Sequence, residues 1–264
     1  MNYLYETHLH TSQTSACGES RGRDYIQAYK DQGYAGIIVT DHFYKGNCAV
    51  SRNLPWREWV NQFCRGFEDA RNEGARRGLD VFFGWEETFD GDDYLVYGLD
   101  REWLLEHPES ARWSRKDQYR AVQQAGGCVV QAHPFRQHYY IHQISLAPAL
   151  VDAVEAANAG NHEQSYDALA MRYAKKLKIP VTAGSDIHEV SQLETGDIFG
   201  VYLDKKMAAI TDYVAAIKGN AIVGLKTSPG RCDSDGNETV SLPVEILNPE
   251  ERDTGEDLWD FLVV

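Results

Sequence analysis

The segment ETHLHT near the start of the chain carries two histidines, His8 and His10, which lie two positions apart. In an extended strand, residues i and i+2 point to the same face, so both imidazoles can approach one point. Asp186 and His188 repeat this spacing in AGSDIH. Neutral imidazole and carboxylate are ligands that hold Zn²⁺, Mn²⁺ or Fe²⁺ in proteins. Each pair could therefore supply two ligands to one divalent metal ion.

Further residues of these types fall at the ends of three other strand-like segments. GIIVTDH ends in Asp41 and His42, FFGWEE ends in Glu86 and Glu87, and CVVQAH ends in His133. In a parallel α/β fold, the carboxyl ends of the strands face a common crevice or barrel mouth. One histidine pair alone is weak evidence, because it is often purely structural. Five recurring strand-end motifs predict a metal centre at this mouth, where a bridging carboxylate could hold two ions.

These motifs need a scaffold in which strands and helices alternate. Helices are expected from about 23 to 32, ending at Gly33, from Pro55 onwards, and near 114–125, 162–177 and 206–218. The alternation favours parallel βα units over an antiparallel sandwich. Without an internal repeat or a linker, we expect a single domain over residues 1–264. Residues 250–264 form an acidic C-terminal tail that is either docked or partly disordered. The remaining strand candidates are YLYETHLH, DYLVYGL, VDAVEAAN, FGVYL and AIVGLK.

The bulk composition excludes several classes of function. The chain has 264 residues, of which 43% are hydrophobic, and a formal net charge of -14. No apolar run approaches the roughly 18 residues of a membrane span, and the negative charge would repel a nucleic-acid backbone. The five cysteines form no CxxC motif and the N-terminus lacks a secretory signal. We therefore expect a soluble, cytoplasmic protein with no membrane partner and no nucleic-acid partner, and the oligomeric state stays open.

Six motifs together resemble the PHP (polymerase and histidinol phosphatase) family of metal-dependent phosphoesterases. They are ETHLHT, GIIVTDH, FFGWEE, VVQAHPFR, VEAANAG and AGSDIH, and they span roughly residues 1–203. The resemblance implies a distorted, TIM-like (β/α)7 barrel with two or three divalent ions, zinc, manganese or iron, at the carboxyl-end mouth. It implies a first ion held by His8, His10, Glu86 and Asp186, a second that shares Glu86 and takes His133, and a third held by His42 and His188.

Two positions depart from the family pattern. The family often supplies a His or Asp about six residues after the histidine pair, where this chain offers Cys17 or Glu19. Cys17 is the expected ligand because a thiolate binds zinc or iron well, although a buried, unligated cysteine is the alternative. Asp93 in DDYLVYG replaces a family histidine and would favour manganese or iron. Glu86 is preferred to Glu87 because it matches the family's Gly-x-Glu pattern, and Glu87 should point to the opposite face of the strand.

The predicted ligand set indicates hydrolysis of a phosphate ester by metal-bound hydroxide. Glu86 and Asp186 would act as catalytic metal ligands. Arg136 in AHPFR is the expected phosphate-binding and catalytic guanidinium, because Arg binds phosphate oxygens in a bidentate fork. Asn158 and Tyr139 are the further expected substrate contacts.

Several other residues keep more than one interpretation each. Asp41 could orient a ligand or cap a turn, and Glu155 could contact substrate, hold a ligand imidazole or be an ordinary strand-end residue. The weaker candidates for phosphate binding are Arg21, Lys45 and Arg231, and the candidates for lining the mouth are His138, His142 and Tyr140.

The sequence thus predicts a phosphomonoesterase that acts on a small phosphorylated metabolite. The family resemblance makes histidinol phosphate and nucleotides the obvious substrate types. One alternative is a phosphodiesterase or nuclease-like hydrolase, against which the net charge of -14 speaks. The other alternative is a metal-binding regulatory module without turnover.

Overall fold

The computed structural model describes residues 2–195 and 197–263. Its strands and helices alternate along most of the chain. No helix of this described part is both long enough and apolar enough to cross a bilayer. The strands are β1 (Tyr3–Glu6), β2 (Gly36–Val39), β3 (Asp80–Phe89), β4 (Asp92–Tyr97), β5 (Cys128–Gln131), β6 (Ile144–Leu146), β7 (Ala153–Asn158), β8 (Val181–Gly184), β9 (Gly200–Leu203), β10 (Gly224–Lys226) and β11 (Val244–Ile246).

Helices cover much of the remaining chain. A 3-10 helix, Pro108–Arg112, lies between the fourth and fifth α-helices. The α-helices are α1 (Gly22–Asp31), α2 (Trp56–Phe63), α3 (Arg65–Arg77), α4 (Arg101–Glu106), α5 (Arg115–Gln124), α6 (Gln164–Leu177), α7 (Gln192–Thr195), α8 (Ile210–Lys218) and α9 (Leu258–Phe261).

Nine strands form one sheet in the order β10-β9-β1-β2-β3-β4-β5-β7-β8. The sheet curls into a nearly closed barrel, since the chain beyond β1 and the chain beyond β8 meet in a bridge between Leu9 and Ile187. The backbone N–H of His10 donates to the carbonyl oxygen of Ile187 at 2.9 Å. The expected α/β barrel with a distorted TIM-like shape is confirmed, and its closing point lies directly beside the histidine pair.

The strands are not all parallel. β1, β2 and β3 run parallel, as do β5, β7 and β8, but β4 is antiparallel to both of its neighbours. Only Asp90 and Gly91 join β3 to β4, and both have positive φ, 54° and 99°. Such a two-residue turn makes a hairpin, whereas a parallel return needs about a dozen residues. β9 also pairs antiparallel with β1, and β10 with β9.

The helix expected from Pro55 onwards is two helices, α2 and α3, which meet at Cys64. Helix α3 begins against the loop that follows His10. A Cβ atom at Gly66 would lie 1.9 Å from Thr11 Oγ1 and 2.8 Å from Asp41 Oδ2, so only glycine permits this approach. The start of α3 therefore packs directly onto the chain that follows the histidine pair.

The C-terminal segment is docked in the part that the structure describes. Phe261 and Leu262 are buried in a cluster that includes Tyr173 of α6. The Nε atom of Arg172 donates to the carbonyl oxygen of Leu262 at 3.0 Å. Leu258, Phe261 and Leu262 of the acidic tail thus pack against the barrel, as in the docked alternative, whereas residues 252–257 are exposed. The sequence did not predict the short parallel pair of β6 and β11, because each of these strands has only three residues.

Candidate metal centre

The histidine pair extends the first strand of the barrel into its mouth. His8 and His10 are fully buried, and their Nε2 atoms lie 3.1 Å apart. Glu6 holds this segment in place, because its carboxylate accepts the backbone N–H groups of His8 at 2.8 Å and of Ser185 at 2.9 Å. The carboxylate thereby ties the end of β1 to the end of β8. Glu6 was not among the sequence candidates because it looks like an ordinary strand residue.

Glu86 lies at the centre of the imidazole cluster. Its Oε1 atom is 3.0 Å from His8 Nε2 and 3.4 Å from His133 Nε2. Its Oε2 atom is 2.8 Å from His42 Nδ1 and 3.5 Å from His10 Nε2. Despite these short separations, neither buried oxygen makes a well-oriented hydrogen bond with any described residue. The atoms converge on common points instead of pairing with one another.

This convergence is the geometry that metal ligands require. Ligand atoms about 2.1 Å from an ion lie about 3.0 Å apart in an octahedral site and about 3.4 Å apart in a tetrahedral one. The separations around Glu86, from 2.8 to 3.5 Å, lie close to these values. A buried carboxylate without hydrogen bonds is costly unless a cation compensates it. The residues present therefore fit divalent metal ions.

Asp186 lies on the other side of the histidine pair. Its Oδ1 atom is 3.1 Å from His10 Nε2 and 3.4 Å from His8 Nε2, and its Oδ2 atom is 2.7 Å from Arg136 Nη1. Asp186 and His133 both have positive φ, 53° and 28°. Side-chain-bearing residues rarely adopt this conformation, and such strain concentrates at functional sites.

The candidate ligands form four overlapping groups of three. In each group, one ligand atom per residue lies within 4.8 Å of the others. We divide the candidates into two regions: the inner half, which consists of His8, Glu86, Asp93 and His133, and the outer half, which consists of His10, His42, His188 and the nearby Cys17. Asp186 lies beside both His8 and His10 and is counted in neither half. The groups are His8–His10–Glu86, His8–His133–Asp186, Glu86–Asp93–His133 and His10–His42–His188.

His10 belongs to the outer half as well as to the first ion of the family-based assignment. Its ring stacks between those of His42 and His188, with centroid separations of 4.3 and 4.5 Å. This double role, which the resemblance did not imply, makes His10 the residue that links the two halves.

Cys17 lines the outer half, whereas Glu19 is exposed. Burial opposes ionisation of the Cys17 thiol, but hydrogen bonds to His188 and His42 outweigh it and lower the pKa to about 6. A thiolate at neutral pH can bind a metal ion. Of the two sequence candidates, the structure therefore favours Cys17.

Asp93 and Glu87 occupy opposite faces near the inner half. Asp93 Oδ2 lies 3.8 Å from His133 Nε2, while its Oδ1 accepts the Thr88 hydroxyl at 2.5 Å. Burial and the charge of Glu86 raise the pKa of the Asp93 carboxyl. Glu87 instead accepts the backbone N–H of Lys45 at 2.8 Å. The structure thus places Asp93, and not Glu87, beside the candidate ligands.

Contacts behind the ligands fix their orientation. The Nδ1 atom of His8 lies 3.0 Å from Glu155 Oε1, and that of His10 lies 3.1 Å from Ser15 Oγ. The Ser15 hydroxyl in turn donates to Asp41 Oδ1 at 2.7 Å. When Nδ1 of a ligand histidine donates to such partners, the lone pair of Nε2 faces the metal. Asp41 also accepts the backbone N–H of Thr11 at 2.6 Å, so the structure shows contacts for both interpretations, ligand orientation and turn capping. Ser15 was not among the sequence candidates.

The local electrostatics favour ionised carboxylates and a positive charge among the candidate ligands. Burial opposes ionisation of Glu86, but the charges of His8 and His42 hold the pKa of its carboxyl well below the usual range. His8 and Arg136 have the same effect on the pKa of Asp186. Burial and the neighbouring imidazoles lower the pKa of His10 well below its usual value, so that its ring is neutral. Carboxylates and neutral imidazoles are the forms that bind metal. Burial opposes protonation of His8 and His42, but neighbouring carboxylates raise their pKa values well above the usual one, so a bound ion would have to replace the protons on these two rings.

A cavity of about 640 Å³ opens over these ligands. Arg136 lies in its wall and is held by three bonds: from Nη1 to Asp186, from Nη2 to Asn158 Oδ1 at 2.8 Å, and from Nε to Asn161 Oδ1 at 2.8 Å. A guanidinium carries five N–H donors, so Arg136 can keep these bonds and still donate to a phosphate oxygen. Asn158 is fully buried and reaches the cavity only through Arg136 in the part of the chain that the structure describes. Tyr139 lies at the rim and is 87% exposed.

The three weaker candidates for phosphate binding lie in different surroundings. Lys45 lines the cavity, and its Nζ donates to the carbonyl oxygen of Trp113. Arg21 is exposed and paired with Asp24. Arg231 pairs with Asp167 beneath the site.

Among the mouth candidates, His138 packs against Tyr139 and Tyr140. His142 is exposed. Tyr140 lines the cavity over the ligands and His138 lines a smaller neighbouring one, so both remain candidates for substrate contact.

Known structures resemble this fold, although no family model matches the chain and no curated protein matches its sequence. A two-domain protein from Bacteroides vulgatus, described as containing a PHP-like metal-dependent phosphoesterase, aligns with a TM-score of 0.56 at 15% identity, covering 84% of this chain. The match spans only 64% of that protein. PsfC from Pseudomonas syringae aligns with a TM-score of 0.58 at 14% identity, covering 88% of this chain and 93% of PsfC. The chain therefore has a PHP-like fold, as its motifs predicted.

Proposed function

We propose that this protein is a metal-dependent phosphoesterase that removes phosphate from a small phosphorylated metabolite. The observation that carries the proposal is Glu86, whose two buried oxygens lack hydrogen bonds inside a ring of imidazoles. Such a carboxylate is arranged to bridge two cations. Bound divalent ions, zinc, manganese or iron, would polarise a phosphoryl oxygen and lower the pKa of a water molecule.

The protein's own residues supply the rest of the site. His8, His10, Glu86, Asp186 and the remaining candidate ligands hold the ions, with Glu86 and Asp186 serving as the catalytic carboxylates. Arg136 faces the same cavity and stays cationic, because Asp186 raises the pKa of its guanidinium against the effect of burial. Its role is to bind phosphate oxygens and to offset the charge that develops as the ester bond breaks.

The cavity favours a small substrate. A volume of about 640 Å³ lies within the range of roughly 300–1,000 Å³ that is typical of small-molecule sites. Tyr139 and Tyr140 at the rim suit stacking on a base or a sugar, so histidinol phosphate and nucleotides are the substrate types we propose. All five cysteines are free, which suits a reducing, cytoplasmic compartment.

Phosphodiester hydrolysis is a second candidate, favoured by one observation. A smaller cavity of about 270 Å³ shares Arg136, Asp186 and His188 with the main one. The reacting phosphoryl group would then have room for a substituent on both sides.

The test is phosphate release by protein reconstituted in turn with Mn²⁺, Zn²⁺ and Fe²⁺. The substrate panel contains histidinol phosphate, nucleoside monophosphates, sugar phosphates and a generic diester. We expect one monoester to be hydrolysed well above the others, with Asp186→Asn inactive and the surface variant Arg21→Ala unaffected. Fastest release from the diester would favour the second candidate. No release by protein shown to be metal-loaded would refute both and would favour the non-catalytic module.

A further inference from the structure

Glu155 is a fully buried carboxylate directly behind the inner half of the metal centre. Its Oε1 atom lies 3.0 Å from His8 Nδ1. Its Oε2 atom accepts the backbone N–H of His133 at 3.1 Å and the side-chain amide of Asn158 at 2.8 Å. One carboxylate therefore touches two candidate metal ligands from two different strands, and one residue that is not a ligand.

Asn158 passes this contact on to the phosphate-binding candidate. Its Oδ1 atom accepts Arg136 Nη2 at 2.8 Å and the backbone N–H of Gly160 at 2.8 Å. The orientation of the amide is dictated by its neighbours, since only its NH₂ group can face Glu155 and only its oxygen can face a guanidinium. The Asn158 amide thus donates to Glu155 and accepts from Arg136 at the same time.

The contacts close into a ring through the metal site. Arg136 Nη1 lies 2.7 Å from Asp186 Oδ2, and Asp186 Oδ1 lies 3.4 Å from His8 Nε2. The surroundings leave little room for independent movement, because a Cβ atom at Gly184 would lie 2.5 Å from His8 Cβ and 2.6 Å from Glu155 Oε1. Close-packed interiors transmit small displacements instead of absorbing them.

We propose that Glu155 and Asn158 are positioning residues that couple metal binding in the inner half to phosphate binding by Arg136. A metal ion bound by His8 would shift this imidazole slightly, and the close packing would pass the displacement through Glu155 and Asn158 to the guanidinium. This inference rests on the proposed function for the role of Arg136. By linkage, metal must raise the phosphate affinity by the same factor by which phosphate raises the metal affinity.

Direct attraction between a metal ion and phosphate also produces coupling, so the test must separate the two routes. The coupling factor is the ratio of phosphate affinities of the metal-loaded and metal-free protein, measured by calorimetric titration with inorganic phosphate. Direct attraction persists in every variant. The contribution of the Glu155–Asn158 route is the part that Asn158→Ala removes.

Asn161→Ala is the matched control. Asn161 also accepts a bond from Arg136, at 2.8 Å, but its side chain otherwise contacts Asp167 and not Glu155 in the described part of the chain. We expect Asn158→Ala to lower the coupling factor at least about 5-fold. Asn161→Ala should weaken phosphate binding equally with and without metal, leaving the factor unchanged. Glu155→Gln should weaken metal binding by about 10–100-fold.

A second variant guards against misfolding. Asn158→Leu keeps a side chain of similar size but loses both the donor to Glu155 and the acceptor for Arg136, so the coupling factor should fall again, and thermal unfolding of each variant checks that it is folded. Equal coupling factors in the wild type, both Asn158 variants and Asn161→Ala would overturn the proposal, as would a loaded wild type that binds no phosphate. These measurements need no turnover. A protein that shows the coupling but hydrolyses no ester would refute the proposed function and leave this inference standing.

Discussion

The inner and outer halves of the metal centre are built in different ways. Inner ligands such as His8 and Glu86 are at most 1% exposed, and a buried carboxylate, Glu155, supports His8 from behind. In the outer half, His42 and His188 have side chains that are 13% and 28% exposed, and both lie on loop segments beyond β2 and β8. The deepest inner ligands are thus buried and supported from behind, whereas His188 in the outer half is clearly more exposed. The division is not complete, because His10 is fully buried and Asp93, at 14%, is as exposed as His42.

This difference indicates separate tasks for the two halves. Preorganised and desolvated ligands bind a metal ion tightly, because little conformational freedom is lost on binding. Partly exposed ligands exchange their ion more easily. We therefore expect a retained inner ion and a labile outer ion, with Glu86 and His10 joining them.

The largest effect should come from Glu86, which contacts both halves. Glu86→Gln should abolish phosphate release, by more than about 1,000-fold, because the ions lose their shared carboxylate. Metal analysis of the purified variant should show the loss of more than one ion. Glu87→Gln is the matched control, since it changes the neighbouring carboxylate on the opposite face. If Glu86→Gln keeps its full metal content and rate, Glu86 is not the bridge.

Variants that remove one ligand from each half should show whether the two halves bind their ions independently. His8→Asn should cost the retained ion and nearly all activity, while His188→Asn should cost one ion and only part of the rate. Graded treatment with a chelator, followed by metal analysis, should release the outer ion of the wild type first. Simultaneous loss of all ions in the wild type would show that the two halves act as one site.

Cys17→Ser should change the outer half alone. Loss of a thiolate ligand should weaken binding of the outer ion by about 10-fold or more. In the Co²⁺-substituted protein, the thiolate-to-metal charge-transfer absorption should disappear. Cys48→Ser is the control, because burial raises the pKa of the Cys48 thiol to about 11 and keeps it protonated. An unchanged absorption in Cys17→Ser would mean that Cys17 is an unligated thiol.

The smallest predicted effect concerns Asp167, which lies beneath the site. Asp167 accepts the side-chain amide of Asn161 at 2.6 Å, and burial raises the pKa of its carboxyl to about 6, against the effect of Arg231. A folded-state pKa above the unfolded one means that the folded protein binds the proton more tightly, so stability is gained as the pH falls. From pH 7 to pH 5, the wild type should gain about 1 kcal/mol of unfolding free energy relative to Asp167→Asn.

Denaturant unfolding of both proteins at the two pH values measures this difference, and every other titrating group cancels in the comparison. A difference that is independent of pH would show that the Asp167 carboxyl titrates alike in the folded and unfolded chain. The pH dependence would then lie elsewhere than beneath the inner half.

Local patterns made part of this site predictable. The period of two along a strand put His8 and His10 on one face, and the strand-end positions of Glu86, His133 and Asp186 brought them to one mouth. The hairpin at Asp90 and Gly91 was also readable, since this dipeptide is a strong two-residue turn signal. Parallel units were predicted there instead, because hydrophobic periodicity carries no information about strand direction.

Sequence reasoning reached the supporting contacts only in part. It offered Glu155 as a residue that could hold a ligand imidazole, but it could not name His8, which Glu155 meets across 147 positions of the chain, and it did not propose Glu6, which meets Ser185 across 179. Such partners depend on barrel closure, for which no local pattern exists.

The sequence by itself therefore determined which residue types stand at the strand ends, because side-chain alternation is a property of each strand alone. Only the tertiary structure decided which of them share a metal position, that His10 joins the two halves, and that Glu155 and Asn158 connect His8 to Arg136. Those relations arise when strands distant in sequence close into one barrel, and their distances are set by packing.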